Sequence, residues 1–378
     1  MKYLLILAMF FLLLFPKNAL AVYDPKSVPN NQYGIHILNP SEIDDASKLV
    51  NSSGGDWGYI TIPIQAGDKD LVKWQTFMDK AKELHLIPII RLATEGDYFN
   101  TTVWRKPDDS DILDFANFLN SLNWPTKNRY IVVFNEPNRA DEWGGQSDPS
   151  DYAQILSYAD TVFKSDNSDF FIISAGMDNA AATDGNGDYN EYTFFNLMNQ
   201  AVPGIFDQID GIASHSYPNP GFLMPSSFLT TKSIDTFYYE KKYLDALANK
   251  DFPVFITETG WDSDKINKNV IAGYYKDAFE HVWNDPSVIA VTPFIFNAGA
   301  EPFSKFSFLN TDGTPNEIYR NFSDMSKIKG LPQLASSGAV LSAKTTKNLP
   351  VKNYSNDRFK FIDKIAKVED VIKTLFQF

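Results

Sequence analysis

The sequence predicts an α/β fold, a closed (β/α)8 TIM barrel with a short C-terminal extension. Eight apolar runs of strand length follow one another between residues 33 and 296, and segments with the apolar period of a helix lie between them. Strict alternation of strands and helices favours parallel pairing, and eight such units match the size of a barrel. An open doubly wound sheet would carry a glycine-rich turn after its first strand, and none follows Leu38.

Most of the eight runs are continuously apolar, as expected for strands that are buried on both faces. They cover residues 33–38, 57–64, 87–92, 130–134, 170–175, 209–214, 254–257 and 288–296. Helical periods cover residues 74–84, 152–162 and 266–283. Asp148 is a candidate N-cap for the second of these helices, with Pro149 as its first residue.

The N-terminus has the pattern of a secretory signal peptide. Residues 3–15 are apolar without a break, but this run is shorter than the roughly 20 residues that span a bilayer. Lys2 provides a positive start, and Ala19 and Ala21 form a small-x-small cleavage site, so we expect a mature chain beginning at Val22. The alternative is a retained N-terminal anchor. A signal peptide implies a secreted, periplasmic or cell-surface protein, with no membrane contact beyond that segment.

Composition and charge exclude several classes of function. The 378 residues are 44% hydrophobic, which is typical of a globular chain, and they carry a formal net charge of −13. An acidic protein of this kind would repel nucleic acid. The sequence has no cysteine, which excludes thiol catalysis, disulfides and zinc bound by thiolates.

The sequence changes character after residue 330, so we assign residues 22–330 to the barrel and 331–378 to an extension. Residues 334–352 are polar and aperiodic, as in a linker. An amphipathic helix is indicated further on, because five apolar residues share one face: Phe361, Ile365, Val368, Ile372 and Leu375. This basic helix could lie on a membrane, pack against the acidic barrel or belong to a partial further module.

Two glutamates follow apolar strands directly. Residues 131–134 lead into Asn135, Glu136 and Pro137, and residues 254–257 lead into Glu258. Because the active site of a barrel lies at the carboxyl ends of its strands, we expect both carboxylates to face the same mouth.

These two segments resemble the retaining glycoside hydrolases of clan A, in which the acid/base follows an Asn at the end of strand four and the nucleophile ends strand seven. The resemblance rests on Asn135-Glu136-Pro137 and on Thr257-Glu258-Thr259-Gly260-Trp261, within an architecture that covers residues 33 to about 325. It implies an enzyme that hydrolyses O-glycosyl bonds of β-linked carbohydrates without a cofactor. Glu136 would be the general acid/base and Glu258 the nucleophile, with carboxyl groups about 5 to 5.5 Å apart.

Further residues at the strand ends are candidates for substrate binding. The resemblance places an aromatic hydroxyl beside the nucleophile, and Tyr217 after strand six is the candidate; His215 precedes it. Asn135 would contact the sugar 2-hydroxyl. Arg91 on strand three and His36 on strand one would steady Glu258 or bind hydroxyls, although a purely structural role fits these two residues equally well.

Three tryptophans fall in loops at the predicted rim, where their flat rings could stack on sugars: Trp104, Trp143 and Trp261. Trp74 and Trp283 lie on helical stripes and are assigned to the core. Families of the clan commonly have a Trp at the end of strand eight. Here Phe296 and Asn297 stand instead, and Asn297 is a further candidate for substrate binding.

The sequence leaves three alternatives open: a bound calcium ion, a barrel that binds carbohydrate without catalysis, and a metal-dependent hydrolase. Residues 184–188 resemble the start of a calcium loop, but Tyr189 and Phe195 occupy the positions that require Gly and Glu. A carbohydrate-binding barrel without catalysis would fit the absence of the strand-eight Trp. A metal-dependent hydrolase is the third alternative; four histidines are few for it, and the ligand pair that such enzymes carry on strand one is missing after His36.

Overall fold

The computed structural model describes residues 22–95, 103–183, 185, 187–298 and 301–335. The expected signal peptide and the expected amphipathic helix lie outside these residues. Within them, eight strands form one sheet in sequential order, and every neighbouring pair is parallel. The strands are β1 (Gly34–His36), β2 (Gly58–Gln65), β3 (Leu86–Ala93), β4 (Arg129–Val133), β5 (Phe170–Ser174), β6 (Gly211–His215), β7 (Val254–Glu258) and β8 (Val288–Val291).

Hydrogen bonds between the two edges of the sheet, involving residues just outside β1 and β8, close the barrel. The amide of Val291 donates to the carbonyl oxygen of Gln32 at 2.9 Å, and the amide of His36 donates to the carbonyl oxygen of Pro293 at 3.0 Å. The eight parallel strands with intervening helices confirm the predicted (β/α)8 barrel.

The helices lie between successive strands and pack on the outside of the sheet. They are α1 (Ile43–Val50), α2 (Leu71–Glu83), α3 (Asp109–Ser121), α4 (Pro149–Asp166), α5 (Glu191–Ala201), α6 (Ile205–Gln208), α7 (Thr236–Ala248), α8 (Lys268–Asp277) and α9 (Glu317–Asp324). The predicted start of α4 is confirmed, since the Asp148 carboxylate accepts the amides of Ser150 and Asp151 and Pro149 is the first residue. Among the described residues, no helix has both the length and the apolar character needed to cross a bilayer.

Apolar side chains fill two layers, one inside the barrel and one between the sheet and the helices. The inner layer includes Tyr59, Ile89, Tyr130, Val132, Phe171 and Phe255. Trp74 and Trp283 are fully buried in the outer layer, as predicted. Because both faces of each strand are covered, the strands read as continuous apolar runs.

The last strand is shorter than predicted. The sequence indicated a strand to Phe296, whereas β8 ends at Val291. Pro293 has no amide to donate, and the amides on either side of it, of Thr292 and Phe294, turn to the carbonyls of Ile256 and Thr259. This segment therefore keeps single hydrogen bonds to β7 and β1 without a regular ladder, and it follows the mouth of the barrel.

The described part of the chain continues a few residues past position 330. The amide of Leu331 donates to the carbonyl oxygen of Pro29 at 2.8 Å, and the amide of Lys127 donates to that of Gln333 at 2.8 Å. Residues 331–335 thus add to the hydrogen bonding at the amino end of β4.

Candidate active site

A cavity of about 340 Å³ opens where the carboxyl ends of the strands meet their loops. Its charged and amide side chains are Arg91, Asn135, Glu136, Arg139, Asp141, Glu142, Asp178 and Glu258. Its aromatic side chains are Trp104, Phe134, Trp143, Tyr217, Phe222, Phe294, Phe303 and Phe306. An apolar wall combined with a few convergent polar groups is typical of a small-ligand or substrate site.

Glu136 lies in a tight turn directly after β4. Phe134 and Glu136 have φ angles of +68° and +34°, a region that bulky residues enter only when their surroundings hold them there. The amide of Glu136 donates to the carbonyl oxygen of Gly176 at 3.1 Å. A side chain at Gly176 would come within 2.2 Å of the His215 ring, so this glycine leaves room for the imidazole beside Glu136.

His215, at the end of β6, contacts Glu136 directly. Its Nδ1 lies 2.7 Å from Oε1 of Glu136, and both side chains are buried. Burial by itself would raise the pKa of Glu136, but the hydrogen bond and charge of His215, with the charges of Arg139 and Arg91, lower it overall. Burial would lower the pKa of His215, but the charge of Glu258 and the contact with Glu136 raise it. The imidazole and the carboxylate therefore hold one proton between them.

Glu258 ends β7 and has a different set of neighbours. The Tyr217 hydroxyl donates to its Oε2 at 3.0 Å, and NH1 of Arg91 donates to its Oε1 at 3.3 Å. Burial and the nearby carboxylates hold the pKa of Tyr217 well above 10, so its hydroxyl stays a neutral donor. These contacts fix the orientation of the Glu258 carboxylate.

The two glutamates are close together. One carboxylate oxygen of Glu136, one of Glu258 and a ring nitrogen of His215 all lie within 4.8 Å of one another. These three residues could in principle hold a metal ion. Each already has a protein partner in His215, Tyr217, Arg91 or Glu136, so hydrogen bonding accounts for the arrangement.

The remaining predicted polar residues also reach this site. Asn135 lines the cavity, and its Oδ1 accepts a hydrogen bond from NH1 of Arg91. His36 is fully buried, with Nδ1 3.8 Å from Oε1 of Glu258. Burial and the positive charge of Arg91 keep the pKa of His36 well below 6.5, so it is neutral and packs edge-on against Phe294.

The three rim tryptophans have different positions. Trp104 is half-buried and lines the cavity. Trp143 borders the cavity, but only 1% of it is exposed, and its indole N–H donates to Asp151 at 2.9 Å. Trp261 is also 1% exposed; it does not line the cavity but packs on Tyr275 in the helix layer. Trp104 is thus the one of the three with accessible surface at the cavity.

Phe294, rather than Phe296 or Asn297, stands at the cavity after β8. The Phe296 ring packs on Tyr319 in the outer layer, and Asn297 does not line the cavity. The sequence-based placement is corrected here because β8 ends early, so an earlier residue reaches the mouth. Pro293 was the available signal, since proline interrupts a central strand.

Sequence reasoning also missed four charged residues of the loops after β4 and β5. They line the cavity and are Arg139, Asp141, Glu142 and Asp178. Burial and the charge of Glu136 raise the pKa of Glu142 to about 8, so this carboxyl is protonated at neutral pH. The spacing of Arg139, three residues after Glu136, could have indicated its contact, but nothing in the sequence indicates the shape of these loops.

The calcium-like segment contributes to loop structure. Asp184 and Asn186 lie outside the described residues. The amide of Ala140 donates a hydrogen bond to the Asp188 carboxylate at 2.7 Å, and the amide of Ser147 donates one to the carbonyl oxygen of Gly187 at 3.2 Å. These bonds connect the loop after β5 to the loop after β4.

Comparisons with known proteins agree with this geometry. Residues 93–322 match the family described as "Glycosyl hydrolase catalytic core". A family 39 glycoside hydrolase from Bacteroides cellulosilyticus is similar in structure, with a TM-score of 0.55 and 18% identity over 80% of this chain and 64% of that one. A β-xylosidase from Caulobacter crescentus has a TM-score of 0.54 and 15% identity over 78% and 68% of the two chains.

A third similar structure is closer in length. It is a family 128 endo-β-1,3-glucanase from Sorangium cellulosum, with a TM-score of 0.52 and 16% identity over 77% of this chain and 97% of that one. The chain thus spans about two thirds of the first two enzymes and nearly all of the third. At these identities the solved structures share the fold. No curated protein sequence matches the chain significantly.

Proposed function

Because the chain belongs to the glycosyl hydrolase catalytic-core family, we propose that it hydrolyses β-linked oligo- or polysaccharides with retention of configuration. Glu258 is the nucleophile and Glu136 the general acid/base. The single observation that carries the proposal is the pair of buried glutamates with carboxylate oxygens within 4.8 Å and unlike neighbours. Retaining enzymes have carboxyl groups about 5 to 5.5 Å apart, whereas inverting enzymes need about 6.5 to 9.5 Å to admit a water.

In the first step, a carboxylate oxygen of Glu258 attacks the anomeric carbon. The glycosidic C–O bond breaks, its electron pair stays on the leaving oxygen, and Glu136 protonates that oxygen. Tyr217 and Arg91 hold the Glu258 carboxylate in position for the attack. The proton comes from the carboxylate oxygen of Glu136 that does not contact His215.

In the second step, a water attacks the anomeric carbon of the glycosyl ester. Glu136 accepts a proton from that water, and the ester bond to Glu258 breaks to regenerate the carboxylate. The lowered pKa of Glu136 suits this role as base. The contact of His215 with Oε1, at 2.7 Å, favours the carboxylate form of Glu136 that this step requires.

The substrate class rests on the β-linkage implied by clan A and on the similar proteins. A β-xylosidase and an endo-β-1,3-glucanase are among them, so β-1,3-glucan and β-xylan belong in any substrate panel. The aromatic rings at the cavity offer apolar faces of the kind that stack on sugar rings.

The test is sugar release from β-glucans, xylans, mannans, galactans and chitin-type polymers by purified protein. We expect release by the wild type from at least one polymer and none above background from Glu258→Gln. A matched control is Glu280→Gln, an exposed residue remote from the mouth, which should keep full activity.

Polymer binding without any bond cleavage by wild type would instead favour a carbohydrate-binding barrel. Activity lost to chelators and restored by metal would favour metal-dependent hydrolysis.

A further inference from the structure

The two carboxylate oxygens of Glu136 have different cationic neighbours. His215 contacts Oε1, whereas NH1 of Arg139 lies 3.5 Å from Oε2. Because His215 occupies Oε1, Oε2 is the oxygen that can meet the glycosidic oxygen or the attacking water. Arg139 therefore stands beside the oxygen that exchanges the proton with substrate. It comes from the loop after β4, and its side chain is about one third exposed, toward the cavity.

The guanidinium of Arg139 is held from behind by a carboxylate. Its Nε donates to Oδ1 of Asp141 at 3.0 Å, and its NH2 donates to Oδ2 at 2.6 Å. A bidentate pair of this kind fixes the plane of the guanidinium as well as its position. Arg139 thus presents a fixed charge rather than a mobile surface side chain.

A second carboxylate confines Arg139 from the loop after β5. Oδ2 of Asp178 lies 3.6 Å from NH1 of Arg139. Asp178 is itself fixed by two hydrogen bonds. Its backbone amide donates to Oδ1 of Asn138 at 3.0 Å, and its side-chain Oδ1 accepts from the amide of Ala180 at 2.7 Å. Contacts from the loops after β4 and β5 therefore both fix the Arg139 guanidinium beside Glu136.

We propose that Arg139 is a positioning residue for Glu136: clamped by Asp141 and Asp178, it holds a positive charge at the proton-exchanging oxygen and so lowers the upper pH limit of the reaction. The proposal rests on the proposed function of Glu136 as general acid/base. Arg139 favours the carboxylate that the second step requires, and it opposes the protonated form that the first step requires. The alkaline limit of the reaction is therefore lower than the same site would have without this charge.

Other charged groups also face Glu136. His215 of β6 and Arg91 of β3 lower its pKa, as Arg139 does, while burial raises it. Glu142 and Asp178 face it as acids, and burial together with the charge of Glu136 raises the pKa of both of them. An opposite charge within a few ångströms lowers a carboxyl pKa by about 1 to 3 units, and Asp141 offsets part of that effect here. Removing the charge of Arg139 should therefore move the titration upward by about one unit.

The kinetic test compares the pH dependence of kcat/KM in wild type, Arg139→Gln and Arg139→Lys, on a substrate identified by the polymer panel. The alkaline limb reports the general acid of the free enzyme. We expect it to shift up by about one pH unit in Arg139→Gln and by much less in Arg139→Lys, which keeps the charge. The acidic limb, which reports the nucleophile, should stay in place. Arg320→Gln, at an exposed position on α9, controls for the loss of a surface charge.

A second measurement needs no turnover. The 13C resonance of the Glu136 carboxyl, assigned by its loss in Glu136→Gln, can be titrated in both variants, with thermal unfolding as a check of folding. An upward shift of about one unit in Arg139→Gln supports the proposal even if no polymer is cleaved, in which case the proposed function alone would fail. A uniform loss of kcat/KM at every pH, with neither the limb nor the resonance displaced, would show that Arg139 only binds the leaving group or stabilises the loop.

Discussion

Glu136 and Glu258 are chemically identical side chains that their neighbours make different. Glu258 accepts hydrogen bonds from the Tyr217 hydroxyl and the Arg91 guanidinium, which orient its carboxylate. Glu136 instead contacts the imidazole of His215, whose Nδ1 lies 2.7 Å from its Oε1. Retaining hydrolysis needs this division, because one carboxylate must attack while the other gives and then takes a proton.

The correction at β8 gives a test at the level of single side chains. Phe294 and Phe296 are both almost fully buried, but Phe294 lines the cavity and Phe296 packs in the helix layer. We expect Phe294→Leu to lower kcat/KM about tenfold, because substrate loses an aromatic face. The matched Phe296→Leu should lower the melting temperature and keep kcat/KM within about twofold. Equal effects of the two substitutions on kcat/KM would contradict the assignment.

The sequence identified most residues of the candidate site because they follow strands directly. Asn135, Glu136, His215 and Glu258 are tied to strand ends, which apolar runs reveal. Trp261, Asn297 and Arg139 were misplaced or missed because their positions depend on the path of a loop. Loop paths are set by contacts such as that between Arg139 and Asp178, which join segments distant in sequence.

At the scale of elements, helices α5 and α7 are joined by a buried pair of acids. Glu191 begins α5 and is 1% exposed, and Glu240 of α7 is fully buried. None of the four carboxylate oxygens accepts a well-aligned hydrogen bond from a donor among the described residues, although the hydroxyls of Ser214 and Tyr192 lie near them. The two groups lie close enough to bond each other, which requires a proton on one of them. A proton shared by Glu191 and Glu240 thus links helices α5 and α7.

Burial raises the pKa of Glu240 to about 7 and, together with the charge of Glu240, raises that of Glu191 well above its usual value. Ser214, Tyr192 and His215 are the other polar groups near the pair, and Asp178 lies near Glu191. A folded-state pKa above the unfolded value means that the native state binds more protons. The stability from this pair is therefore complete below about pH 4.5 and is lost as pH rises toward 7.

We expect the raised pKa of Glu240 alone to cost the wild type about 3 kcal/mol of unfolding free energy between pH 4.5 and 7. Glu240→Gln should be spared most of this loss, because its amide can donate to the Glu191 carboxylate without a shared proton. The measurement is the melting temperature of both proteins at pH 4.5 and 7.5, with the exposed Glu280→Gln as control. Melting temperatures that change in parallel for wild type and Glu240→Gln would rule out a shared proton.

The elements themselves were largely predictable, and their ends were not. All eight strands form where apolar runs occur, and the Asp148 cap begins α4 as expected. The end of β8 was misjudged because residues 294–296 are as apolar as a strand but serve the mouth and the outer layer instead. Burial alone therefore does not distinguish a strand from a buried loop.

At the scale of the whole molecule, closure of the barrel brings distant parts of the chain together. Glu136 and His215 are 79 residues apart in sequence and 2.7 Å apart in space. The alternation of strands and helices was sufficient to predict this closure, because a sheet of eight parallel strands with covering helices has few other solutions. The separation of the two glutamates follows from where β4 and β7 end, so barrel geometry fixes the stereochemistry that we expect.

That stereochemistry is the most direct test of the proposed mechanism. Proton NMR of the first product formed from a β-linked substrate reports the anomer before it equilibrates in water. Retention by Glu136 and Glu258 predicts that the β-anomer appears first and that the α-anomer grows in only later by mutarotation. An α-anomer as the first product would mean that a water attacks directly, and it would contradict a nucleophilic Glu258.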